Sequence, residues 1–136
     1  MATKDFDISQ FETVDYATLT VQNPKGDDLV VDGKPVLINL YGPGSKQFVN
    51  AKYKLDNAVQ TRSIAMLRGK ASKNAAEETR QQQAEFYAAV TVSIENFPID
   101  GGALALYSNP KLNYITDQVE KFLSDTENFM PESPTK

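Results

Sequence analysis

The stretch that decides the fold runs from residue 74 to residue 97 and reads NAAEETRQQQAEFYAAVTVSIENF. Its first half is polar and rich in residues of high helix propensity, and its second half is apolar. The large apolar residues recur at spacings of four, four and three: Phe86, Val90, Ile94 and Phe97. This spacing places them on one face of a helix, and no helix breaker occurs before Pro98. We therefore predict one helix over 74–97.

The segment Val90–Ile94 also allows a second interpretation. It reads Val-Thr-Val-Ser-Ile, and β-branched residues are enriched in strands. A strand over these five positions is the alternative to the end of the long helix.

The length and composition predict one folded domain. The chain has 136 residues, of which 40% are hydrophobic and 24% charged, as in ordinary globular proteins. We expect an N-terminal arm or short helix over 1–15, a single domain over 16–130 and a flexible tail over 131–136. No apolar run approaches the roughly 18 residues of a membrane span, and no signal peptide is recognisable. The expected location is the cytoplasm of the producing cell.

Two of the residue types that the sequence lacks are common in catalytic and metal sites. The chain has no Cys, which excludes disulfides and thiolate zinc sites. It also has no His, the commonest general base and transition-metal ligand. We therefore expect no enzyme, no cofactor and no metal site.

Three short segments before residue 45 predict strands. Residues 16–21 alternate between outward and inward positions, Leu29–Val31 is short and apolar, and Val36–Tyr41 alternates again. Turn residues separate the segments at Asn23–Asp27 and Asp32–Pro35. We predict an α+β fold in which a small N-terminal antiparallel β-meander packs on three main helices.

Two further helices are predicted around the central stretch. Ser45 is a plausible N-cap, and Gly69 lies where a helix commonly ends. Together with the central stretch this predicts a helical hairpin over 45–97. A last helix begins at Asn109-Pro110 and ends near Ser124. We expect Phe129 and Met130 to follow it as an exposed apolar end.

The charges divide the chain into acidic, basic and acidic sections. Residues 45–80 carry eight Lys or Arg and three Asp or Glu, whereas residues 1–44 carry three and seven, and residues 81–136 three and eight. Unlike patches of this kind favour head-to-tail contact between identical subunits. The predicted self-association residues are the following: Lys46, Lys52, Arg62, Arg68 and Arg80. A nucleic-acid-binding regulator is the alternative, although no recognition motif surrounds these charges.

Apolar and aromatic residues gather between positions 106 and 130. An exposed part of this region would dock a peptide or a helix. The residues predicted to bind such a client are Tyr107, Leu112, Phe122 and Phe129.

Three segments resemble the tail assembly chaperones of long-tailed (siphovirus-type) bacteriophages. They are Asp32–Val36 with Leu40–Ser45; Val92–Phe97 with Asp100-Gly101; and Leu106–Pro110 with Ile115, Gln118-Val119, Phe122, Asp125 and Asn128-Phe129. The resemblance covers most of residues 16–130 and involves turns and apolar positions.

This resemblance implies a non-catalytic protein of viral morphogenesis in the host bacterial cytoplasm. Members of the family bind and solubilise the tape measure protein, help to recruit tail tube subunits and leave before the virion matures. The implied partners are therefore the tape measure protein, the tail tube protein and further copies of the chain in a spiral oligomer. A permanent virion tail or connector component is the alternative within the same setting.

Overall fold

The computed structural model of the chain describes residues 7–70 and 75–131. Its strands are β1 (Tyr16–Thr20), β2 (Val30–Val31), β3 (Lys34–Pro35), β4 (Leu37–Tyr41) and β5 (Thr91–Glu95). Its helices are α1 (Lys46–Leu67), α2 (Ala75–Ala89), α3 (Gly102–Ser108) and α4 (Asn113–Ser124), with 3₁₀ turns at Ile8–Gln10, Pro110–Leu112 and Thr126–Phe129. The prediction of an α+β fold is confirmed.

A three-stranded antiparallel sheet in the order β1-β4-β5 forms one side of the core. Residues Val36, Ile38 and Leu40, in and just before the central strand β4, are at most 1% exposed. Alternate residues of a strand point to opposite faces, so Asn39 lies on the outer face. There its amide donates to Ser93 Oγ and to Glu95 Oε2, both at 2.8 Å.

The prediction of a helix through Val90–Ile94 is wrong, and the strand alternative is confirmed. Helix α2 ends at Ala89, and β5 then pairs with β4, with Ile94 opposite Ile38. A helix here would leave one edge of β4 without backbone partners, which is costly in a buried strand. In the pairing of β4 with β5, Ser93 lies opposite Asn39 and Thr91 opposite Leu40, so that Val92 between them has no partner residue. The Val92 side chain is 43% exposed.

The N-terminal meander is also corrected. Strands β1 and β4 pair as neighbours, but Val30 and Val31 do not join their sheet. They form a separate two-residue ladder with Lys34 and Pro35. The third strand of the main sheet therefore comes from β5, far along the chain.

The local signals that begin and end α1 are confirmed. The Ser45 hydroxyl donates to the carbonyl oxygen of Gly42 at 2.8 Å and accepts from the backbone N–H of Phe48 at 3.1 Å. The second bond satisfies one of the backbone N–H groups that have no partner within the helix at its N-terminus. At the other end, Gly69 adopts a φ of +74°, which favours glycine. A helical hairpin of α1 and α2 follows, which ends at residue 89 and not at 97.

The helices pack in a row rather than around a common centre. Helix α2 packs against α1 on one side and α3 on the other, and α3 packs against α4 and β5. Helix α4 supplies the buried residues Ile115, Val119 and Leu123 to the core. Among the described residues, no helix combines the length and the apolar character that a membrane crossing requires.

Two predicted segments fall partly outside the described residues. Only residues 7–15 of the predicted N-terminal arm are described, and they contain the 3₁₀ turn at Ile8–Gln10. Of the predicted tail, residues 132–136 lie outside the described part of the chain.

Gly42 offers a test of the packing between the sheet and the C-terminal turn. A Cβ atom at this position would lie 2.4 Å from the carbonyl oxygen of Val14 and 3.2 Å from the Phe129 ring. We expect Gly42→Ala to lower the free energy of unfolding by about 1–3 kcal/mol, since backbone must move. Urea unfolding followed by circular dichroism measures the change.

Gly44→Ala is the matched control for this substitution. Its Cβ would meet only the Thr13 hydroxyl at 3.1 Å, and that side chain can rotate away. Equal unfolding midpoints for the two variants would contradict the close approach at Gly42.

Candidate protein-binding surfaces

Two of the four residues predicted to bind a client lie inside the protein. Tyr107 is 8% exposed and Phe129 is fully buried, so the expectation that Phe129 forms an exposed end is wrong. Leu112 and Phe122 are partly buried and pack against the same hydrophobic core. In this structure the region 107–129 therefore contributes mainly to the core, and it offers a client little apolar surface.

The burial of Phe129 has a clear cause. The 3₁₀ turn that contains it folds back on the start of β1, where the N–H of Val14 donates to the Phe129 carbonyl oxygen at 2.6 Å. Its ring packs edge-on against Phe122, with the centroids 5.3 Å apart. Met130, the next residue, remains 40% exposed. The chain thus closes the core with Phe129 at its C-terminal end.

Tyr107 is held by a chain of hydrogen bonds that reaches α2. The Thr91 hydroxyl donates its single hydrogen to the Tyr87 carbonyl oxygen at 2.7 Å. The Tyr107 hydroxyl, 2.8 Å from Thr91 Oγ1, must therefore be the donor in that pair. Burial raises the pKa of Tyr107 to about 12. The phenol is neutral over the physiological range and anchors α3 against the start of β5.

The five basic residues predicted for self-association do not form one patch. Lys46 and Arg68 lie at opposite ends of α1, which is about 33 Å long at 1.5 Å per residue. Lys52 pairs with Asp56 at 3.8 Å, and half-buried Arg62 donates to Gln82 across the hairpin. Arg80 lies on α2, in a surface cleft that also contains Tyr107 and Pro110.

An unpartnered apolar surface lies on α1, and it was not predicted. Among the elements of the described chain, α1 packs extensively against α2 alone, and Ala51 is its only buried residue. Five of its residues are large, apolar and more than 40% exposed: Tyr53, Val59, Ile64, Met66 and Leu67. Leu67 is the extreme case, with 88% of its surface exposed.

The signal for this surface was present in the sequence. One apolar stripe of α1 contains Phe48 and Leu55, which lie against α2. A second stripe is marked by Tyr53, Gln60 and Leu67 at intervals of seven. Two stripes on a single helix predict two packing partners, whereas the structure supplies only one.

The groove between α1 and α2 and the arrangement of the carboxylates bear on whether the chain has a site for a ligand or a metal ion. A groove of about 130 Å³ between α1 and α2 is lined mainly by alanine and apolar residues, with Lys54 and Glu85 among them. Within the described residues, no group of three or more carboxylate, His or Cys side chains is placed to hold a metal ion.

The raised pKa of Tyr107 predicts a pH-dependent stability. A pKa that is higher in the folded state gives a contribution that is complete below about pH 10 and is lost as the pH rises through about 12. Relative to Tyr107→Phe, the wild-type protein should lose about 2 kcal/mol of unfolding free energy between pH 8 and pH 11.5. Urea unfolding at both pH values measures this difference.

Tyr16→Phe is the control, because this side chain is 59% exposed. If Tyr107→Phe and the wild-type protein lose stability in parallel at high pH, the phenol is not buried as described.

Comparison of the chain with protein-family models, with curated proteins and with solved structures gives no match.

Proposed function

We propose that this chain is an assembly chaperone of long-tailed bacteriophages. It would bind and solubilise the tape measure protein in the host cytoplasm, help to recruit tail tube subunits and then leave the assembly. The proposal starts from the resemblance of residues 16–130 to that family. The observation that carries it is the packing of α1: among the described elements it packs extensively against α2 alone, and it leaves large apolar side chains in solvent.

Such a surface suits a protein that works by covering another. A tape measure protein is a long amphipathic helix, and its apolar surface promotes aggregation until it is shielded. A helix with one free apolar side can lie along such a client and complete its packing. Many copies attached to one client also raise the effective concentration for each contact, so that single contacts can be weak.

The distribution of charge supports contact between copies. Basic residues are concentrated on α1, whereas Asp117, Glu120 and Asp125 lie together with Lys121 at a surface cleft of α4. Contact between unlike surfaces of identical chains is head-to-tail, and it produces a helical array when it does not close. Such an array would follow the length of a helical client.

Co-expression tests the main proposal. We expect a tape measure protein encoded beside this chain to be largely insoluble alone and to become soluble, in a complex, when the chain is co-expressed. Centrifugation and size-exclusion chromatography of the lysate measure both states. No gain in solubility would contradict the chaperone function, and recovery of the chain at full stoichiometry from purified virions would favour the permanent component.

Self-association has its own measurement. Because contacts between exposed charges are screened by salt, we expect sedimentation velocity to show oligomers at about 50 mM NaCl that dissociate at about 500 mM. An oligomer that is unchanged by salt would argue against the electrostatic head-to-tail contact.

A further inference from the structure

We infer that the face of α1 turned away from α2 is a docking site for an acidic amphipathic helix. This inference rests on the proposed function and specifies which surface meets the client and what chemistry the client has. It is argued from three observations: the position of the exposed apolar side chains of α1, the sign of its charges and the absence of a matching helix among the described residues of this chain.

The exposed apolar side chains lie opposite the contact with α2. Residues seven apart lie on one side of a helix, and residues two apart differ by about 200°. Ala51, the buried residue of α1, faces α2. Tyr53 is therefore on the opposite side and is 65% exposed. Leu67, two intervals of seven further on, is on that side too and is 88% exposed.

Ile64 completes this outer stripe. It is 43% exposed and precedes Leu67 by three residues. The steps from Tyr53 to Gln60, Ile64 and Leu67 are seven, four and three, which is the spacing of a seam between two helices. A stripe of this width fits a single partner helix, whereas a bilayer surface needs a broader apolar face.

The charges around this stripe are nearly all positive. Residues 46–70 contain six Lys or Arg and one acid, Asp56. Asp56 already pairs with Lys52 at 3.8 Å, and Arg62 is turned into the hairpin toward Gln82. Exposed Lys46 and Arg68 are thus left without an acidic partner on α1. A partner with Asp or Glu beside its apolar stripe would complement them.

A second copy of the chain does not supply this partner. Helix α4 is amphipathic and carries Asp117 and Glu120, but its apolar residues Ile115, Val119 and Leu123 are buried in its own core. Helix α2 is not available either, because it already packs against α1 on one side and α3 on the other. A second α1 would bring like charges together. The occupant that fits is therefore a helix of another protein.

Two synthetic helical peptides test this inference with the full-length chain. Both have about three heptads with the same Leu stripe, and the flanking positions are Glu in one and Lys in the other. We expect the acidic peptide to bind at least about tenfold more tightly, measured by fluorescence anisotropy, and to weaken as salt is raised. Equal binding of both peptides, or no binding, would overturn the inference.

Substitutions on the outer stripe locate the site. Ile64→Gln with Leu67→Gln keeps helix propensity, and should weaken binding of the acidic peptide at least about tenfold. Val30→Gln is the matched control, because Val30 is 51% exposed on another element. Lys46→Glu with Arg68→Glu should weaken binding too, whereas Lys25→Glu with Lys111→Glu changes the net charge equally and should not.

Two other occupants give distinct results. Vesicles of phosphatidylglycerol and phosphatidylcholine that bind the wild-type chain but not the Ile64/Leu67 variant, without peptide binding, would assign the face to a membrane surface. Loss of oligomers in that variant would assign it to a second copy. Either result overturns the inference.

Failure of this inference can be separated from failure of the proposed function. If the Ile64/Leu67 variant still keeps the tape measure protein soluble, the docking face is wrong and the chaperone function stands. If the wild-type chain binds the acidic peptide but does not solubilise the tape measure protein, the docking face stands and the function is wrong.

Discussion

The arrangement of this protein depends on the need to pair both edges of strand β4. The strand region holds Val36, Ile38 and Leu40, which are almost completely buried, and unpaired backbone groups in such a place cost about 1–3 kcal/mol each. Strand β1 covers one edge and β5 the other. Because β5 follows β4 only after the two long helices, the hairpin of α1 and α2 is inserted between neighbouring strands. The N–H of Tyr41 donates to the Val90 carbonyl oxygen at 2.8 Å and closes the base of this insertion.

That insertion explains why α1 has so few contacts. The hairpin is attached where it leaves and re-enters the sheet, and α2 lies toward the rest of the protein, against α3. Helix α1 is therefore the outer member of the row. A ring contact between Phe48 and Phe86, with centroids 5.5 Å apart, fixes its first half on α2. Further along, the contacts to α2 involve alanines and the Arg62–Gln82 hydrogen bond, and large apolar residues of α1 remain in solvent.

The core and the exposed surface thus use aromatic and apolar residues in different ways. Tyr107 and Phe129 join the C-terminal segments to the sheet, through Thr91 and Val14 respectively. Because Tyr107 and Phe129 are buried, residues 107–129 expose little apolar surface, whereas α1 exposes several large apolar side chains. The basic residues that were expected to act together are likewise dispersed: Arg80 lies on α2, and the others are distributed along α1, which is about 33 Å long. They therefore do not form one compact patch.

Signals that act over a few residues were sufficient to predict much of this protein. The N-cap at Ser45, the end of α1 at Gly69, the alternation in β4 and the α+β class were all evident, because caps, turns and strand alternation depend on neighbouring residues. Tertiary structure decided between helix and strand at Val90–Ile94. The spacing of Phe86, Val90 and Ile94 fits a helix, the β-branched composition fits a strand, and pairing with the open edge of β4 selects the strand. Tertiary structure also decided the burial of Phe129 and the exposure of Leu67. Both depend on which segments meet in space, and local periodicity does not contain that information.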